Sequence, residues 1–89
     1  MAPDARTRSD AVLKTLDCNT PEIPKEYDLS GWERFPYDDA FYAVLKSKFG
    51  DREIKIVVTG YEFIQNRECL RMLVWNKIDC AIKELNALP

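Results

Sequence analysis

Residues 52–60 read Arg-Glu-Ile-Lys-Ile-Val-Val-Thr-Gly, with Ile54, Ile56 and Val58 on one face and Lys55, Val57 and Thr59 on the other. β-Branched residues dominate the run and Gly60 ends it, which predicts a strand over 52–60. No other stretch of the chain carries so plain a strand signal. A single strand cannot pair its own N–H and C=O groups, so a second strand must lie beside it. The fold class is therefore α+β, a small sheet packed against helices, and two sources for the missing strand stand open. One is the segment 25–35, where Tyr27, Leu29 and the stretch from Trp32 to Phe35 have room to run extended beside Ile54 to Val58. The other is a second chain, paired across a two-fold axis or supplied by an extended peptide of a partner.

Three helices are expected around that strand. After Gly60 no glycine or proline occurs until Pro89, and the residues between are rich in helix formers, which predicts one helix over about 64–88. At about 100° per residue, Leu70, Val74, Trp75, Ile78, Ala81, Ile82, Leu85 and Leu88 share its core face. Cys69, Leu73, Cys80 and Ala87 form a second, narrower apolar stripe nearly opposite, to be covered either by the N-terminal helix or by another chain. Pro36 followed by Asp38 and Asp39 suits a helix N-terminus, and Phe41, Val44, Leu45 and Lys48 follow the i, i+3, i+4, i+7 spacing, so a helix over 37–49 is expected. Ser9 opens a short helix that places Val12, Leu13 and Leu16 on one face.

Residues 1–8 are polar and are expected to be disordered, leaving 9–89 as a single domain. Within it, 18–35 is an extended connection punctuated by Pro21, Pro24 and Gly31. The segment 21–40 holds two basic residues against six acidic ones, a local balance of −4. A chain of 89 residues builds a thin core, which a partner or a second copy would supplement.

Chemistry is restricted by what is missing. The chain has no histidine, so the usual base near neutral pH, every triad built on Ser or Cys with His, and the commonest zinc ligand are excluded together. The three glycines, at 31, 50 and 60, make neither a phosphate loop nor a dinucleotide fingerprint. Cys69 and Cys80 return to one helix face but lie roughly 16 Å apart at a helical rise, too far to share a metal or a disulfide. With Cys18 they read as ordinary small apolar side chains. Adjacent Asp38 and Asp39 read as a helix N-terminal pair and not as a catalytic dyad. The expectation is a non-enzymatic protein with no cofactor, no metal and no small-molecule substrate.

Binding remains. Tyr27, Trp32, Glu33, Phe35 and Asp39 interleave aromatic and acidic side chains, as in an arm whose rings anchor in a basic groove, unless those rings cover the domain's own core. Ile54, Ile56 and Val58 offer the strand, and Cys69, Leu73 and Cys80 the second helix stripe. These residues together predict a protein–protein interaction module, an adaptor, regulatory subunit or inhibitor, homodimeric or bound to a larger chain. The alternative is a small RNA- or DNA-binding module using Arg67, Arg71, Lys77 and Lys83, although these do not align on one helix face and the net charge of −2 supplies no basic field. No apolar run approaches the ~20 residues of a membrane span. An odd cysteine count without an apolar leader points to reduced thiols in cytoplasm or nucleus.

Overall fold

The middle of the chain is decided by alternation. A computed structural model describes residues 5–48 and 52–87. Its elements are α1 (Ala5–Cys18), β1 (Tyr27–Leu29), β2 (Glu33–Arg34), β3 (Ala40–Ser47), β4 (Glu53–Thr59), α2 (Gly60–Gln65), a 3₁₀ turn (Arg67–Cys69) and α3 (Leu70–Ala87). The class is α+β, and the strand expected over 52–60 is β4.

The helix expected over 37–49 does not form; Ala40–Ser47 is the central strand instead. Phe41, Ala43 and Leu45 are buried while Tyr42, Val44 and Lys46 turn to the opposite side, a period of two that competes with the helical spacing in the same residues. Pairing decides between them. As a strand, β3 accepts β4 along seven residue pairs, from Ala40 opposite Thr59 to Lys46 opposite Glu53. A helix there would leave β4 with no partner along that edge. Pro36 to Asp39 form the bend that returns the chain from β2 into β3, closed by the Phe35 N–H donating to the Ala40 carbonyl at 3.0 Å. Phe49 and Gly50, the expected end of that helix, fall outside the described residues.

The segment 25–35 does enter the sheet, but against β3 and not against β4. Tyr27 lies opposite Ser47 and Leu29 opposite Leu45, after which Glu33 lies opposite Tyr42. Residues 30–32 therefore span only two residues of β3, one extra residue that makes a β-bulge and splits this edge into β1 and β2. The Ser30 Oγ fills part of the break by accepting the Val44 N–H at 2.7 Å. The bulge also turns Trp32 inward, where it is 6% exposed and its Nε1 donates to Thr20 Oγ1 at 2.8 Å. Thr20 Oγ1 in turn donates to the Leu16 carbonyl, which ties the edge strand to the end of α1.

α1 begins at Ala5, ahead of the expected Ser9, so Ala5 to Arg8 belong to the helix; residues 1–4 lie outside the described residues. Val12, Leu13 and Leu16 pack on the core as their spacing predicts. The long C-terminal helix is divided. Thr59 and Glu62 form a capping box that opens α2, and Asn66, whose backbone N–H and side-chain amide both reach the Glu62 carbonyl, closes it after one and a half turns. α3 then carries Leu70, Val74, Ile78, Ala81 and Leu85 into the core and leaves Ile82 half-buried. Trp75, expected on that face, sits at its margin with 39% of its surface exposed. The helices thus cover one face of the sheet and leave the other uncovered among the described residues.

Candidate functional site

The backbone of β4 points in two directions. Ser47 N–H donates to the Arg52 carbonyl at 3.1 Å, and Gly60 N–H to the Asp39 carbonyl at 2.8 Å. With the register between, these bonds fix the antiparallel phase: Ile54, Ile56 and Val58 bond to β3, while Glu53, Lys55 and Val57 turn their N–H and C=O groups outward. Among the described residues no strand pairs with that outer edge.

Along the same edge runs a groove of about 380 Å³ between β4 and α3. Ile54, Ile56, Leu73, Cys80 and Ala81 form its apolar floor, with Glu62, Lys77 and Glu84 on its rim. Ile54 and Leu73 point to the helix side of the sheet yet remain half-buried, because no further strand closes the core over them. One end of the groove is tied by an ion pair. Lys77 Nζ lies 2.8 Å from Glu62 Oε2, while Glu62 Oε1 accepts the Thr59 N–H at 3.1 Å. Burial disfavours the charged carboxylate of Glu62, but the Lys77 ammonium and the Thr59 N–H outweigh it and hold the carboxyl below its ordinary value of 4.5.

The two edges of the sheet are unlike. β1 and β2 are three and two residues long, separated by the bulge and preceded by Pro21 and Pro24, all features that blunt an edge. β4 has seven residues with no bulge and no proline. Lysine commonly guards such an edge, but the Lys55 ammonium is drawn over the rings of Tyr42 and Phe35, 4.7 and 5.5 Å from their centroids.

That ring pair belongs to the uncovered face of the sheet. Phe35 and Tyr42 meet at 4.7 Å between centroids with their ring planes tilted by 48°, and the Tyr42 hydroxyl donates to Glu33 Oε2 at 2.8 Å. This hydrogen bond, with some burial and the charge of Glu33, raises the Tyr42 pKa above its ordinary 10.0. The cluster satisfies its own polar groups and mixes both signs of charge.

The residues expected from sequence divide accordingly. Ile54, Ile56, Leu73 and Cys80 meet in the groove, with Val58 buried just beyond them. Glu33 and Phe35 lie on the uncovered face. Trp32 is a core side chain, and Tyr27 packs on the core with its hydroxyl bonded to Asn86 Oδ1 at 2.8 Å. Asp39 is exposed in the bend beside Gly60, too close for any side chain at 60 to fit without Asp39 moving. Cys69 lies apart in the 3₁₀ turn. All three cysteines are free and exposed. Of the cationic set, Arg67 and Arg71 are exposed, while Lys77 pairs with Glu62 and Lys83 with Asp79 at 3.1 Å. Sequence reading missed Lys55, Val57, Glu62 and Tyr42. The capping box Thr59-x-x-Glu62 was the one visible signal among them.

Among the described residues there is no group of three or more acidic or cysteine side chains placed to hold a metal ion, and no helix long and apolar enough to cross a membrane. No family model, no curated protein and no solved structure matches the chain.

Proposed function

We propose that this protein is a protein-interaction module that binds by strand addition: an extended segment of another chain pairs with the outward N–H and C=O groups of Glu53, Lys55 and Val57. The added strand sets alternate side chains on Ile54, Leu73 and Cys80 in the groove, joining backbone pairing to side-chain selection. The observation that carries this reading is the contrast between the edges, one broken and blunted, the other long and unguarded beside an apolar groove. Such a protein acts by occupancy, as an adaptor, regulatory subunit or inhibitor, and not by catalysis. With three exposed thiols it works in a reducing compartment, cytoplasm or nucleus.

Lys55→Pro tests the edge. The Lys55 N–H faces away from β3, so proline there removes an outward donor and leaves the β3–β4 ladder whole, the one strand setting in which proline is tolerated. Lys55→Ala removes the same charge and keeps the donor. With a partner isolated by native capture, calorimetric binding should survive Lys55→Ala and fail with Lys55→Pro. Equal binding by both variants would refute strand addition, as would a loss that instead follows Phe35→Ala on the opposite face.

A further inference from the structure

We infer that the strand received by the β4 edge is the β4 of a second copy of this chain, antiparallel and centred on Ile54. The inference rests on the strand-addition reading and names its occupant.

The outward groups belong to Glu53, Lys55 and Val57, so a two-fold pairing must set these odd-numbered residues opposite one another. Every residue from Glu53 to Val57 is a centre that satisfies that condition; Glu53 would set two carboxylates face to face and Val57 would set Lys55 opposite Thr59, whose outward N–H is already taken, which leaves three to compare. A centre at Lys55 puts the two lysines face to face, a like-charge pair directly opposite. A centre at Ile56 sets Glu53 opposite Thr59, whose N–H is already taken by Glu62 Oε1 at 3.1 Å, and drives the second copy against the start of α2. A centre at Ile54 sets Glu53 opposite Lys55 of the second copy, and by symmetry Lys55 opposite its Glu53. Two ion pairs then flank an Ile54–Ile54 contact.

Charge and shape agree in that register. Glu53 has one loose ion pair, Lys46 Nζ at 3.7 Å with both side chains more than half exposed, and so is available to a second cation. Opposed residues of adjacent strands point to the same face, so Ile54 of the second copy falls on the helix side beside Ile54, at the mouth of the groove, while its Ile56 falls opposite Arg52. The outcome is one continuous sheet through two protomers, with the half-buried Ile54 of each covered by the other.

Two charge reversals test the register in the full chain. In Glu53→Lys every cross-strand pair becomes Lys–Lys, and in Lys55→Glu every pair becomes Glu–Glu. Mixing the two variants restores opposite charges at both positions. Sedimentation equilibrium of the unaltered chain should give twice the chain mass of 10.3 kDa. Each variant alone should dissociate roughly tenfold more readily, and the equimolar mixture should recover the dimer. Circular dichroism confirms that each variant folds. Should either fail, hydrogen exchange on the unaltered chain answers instead: the amides of Glu53 and Lys55 should gain protection as concentration rises, while that of Ile54 stays constant.

A chain that is monomeric up to about 1 mM overturns self-pairing, and the strand-addition reading is then judged separately by Lys55→Pro with its partner. A dimer indifferent to both reversals, or one whose Glu53 and Lys55 amides exchange alike at all concentrations, uses another surface and overturns the inference as well.

Discussion

Glu62 holds three elements together, and removing it in steps separates what each contact contributes. Its backbone starts α2, its Oε1 closes the capping box on the Thr59 N–H at 3.1 Å, and its Oε2 meets Lys77 Nζ of α3 at 2.8 Å. Glutamine at this position keeps the reciprocal cap and loses the charge. The Lys77 pair, about two-thirds buried on both sides, and the favourable charge at a helix start then disappear, together about 1 kcal/mol. Alanine also removes the cap, a further ~1 kcal/mol. For a domain of this size each kcal/mol lowers Tm by roughly 4–8 °C, so Glu62→Gln should melt roughly 4–8 °C below the unaltered chain and Glu62→Ala roughly 8–16 °C below. The pH dependence has a definite sign. Because the folded carboxyl titrates below 4.5, its stabilisation is complete above that pH and is lost as the pH falls through the folded value. The gap between Glu62→Gln and the unaltered chain, measured by thermal melts from neutral pH downward, should therefore close in the acid range. A gap that persists at the lowest pH, or equal melting of the Gln and Ala variants, would show that the charge or the cap is idle.

Ser30→Ala removes the acceptor of the Val44 N–H in the bulge and should cost about 1 kcal/mol by chemical denaturation; an unchanged midpoint would mean that the bulge holds without the hydroxyl. Glu33→Gln deprives the Tyr42 phenol of the charged acceptor that raises its pKa, so the tyrosinate absorbance titration should be complete at lower pH than in the unaltered chain, and superimposable curves would dissolve the cluster. Ile78→Ala, at a fully buried position of α3, should cost 2–5 kcal/mol, a range given by truncations of this kind, whereas Met72→Ala on the same helix, 65% exposed, should stay within about 0.5 kcal/mol. Similar values for the two would place α3 in the wrong rotation.

What sequence made legible depended on whether a local pattern had a rival. In β4 the rival was weak: Ile54, Val57, Val58 and Tyr61 also fit i, i+3, i+4 and i+7, but β-branched residues dominate the run and Gly60 interrupts it. The core face of α3 was equally plain, Leu70, Val74, Ile78, Ala81 and Leu85 all being buried where the period puts them. β3 carried two patterns at once. Phe41, Val44, Leu45 and Lys48 fit a helix, Phe41, Ala43 and Leu45 fit a strand, and Ala, Leu and Lys favour the former by propensity. The winner was set by a hydrogen-bonding demand made by β4, the next strand along the chain, which the pattern within 40–47 does not itself display. The bulge was hidden for the same reason, since it exists only relative to the β3 register. Ile54, Ile56, Leu73 and Cys80 were named separately, as a strand face and a helix stripe. That they line one groove depends on β4 being an edge strand, a fact of topology.

The contrast between the edges is not something the core requires. Burial fixes only which face each side chain takes, and Phe41, Leu45, Ile56 and Val58 would be as deeply buried if β4 carried a bulge or a proline. The chain nevertheless places its bulge at the β1–β2 edge and two of its five prolines, Pro21 and Pro24, just ahead of it, and none in β4. It also leaves its core unfinished on that same side: Cys80 and Ala81 are small where a larger side chain would close the gap over Ile54, and Leu73 stays half-buried. Either feature alone is a common surface irregularity. Together they are deficits of one kind at one place: among the described residues, backbone groups without a strand partner and half-covered apolar side chains lie along the same seven residues. An added strand corrects both at once, since its backbone pairs with Glu53, Lys55 and Val57 while its alternate side chains cover the groove floor. A helix laid on the groove would cover the apolar floor and leave the outward N–H and C=O groups to water, which is why the occupant we propose is an extended one.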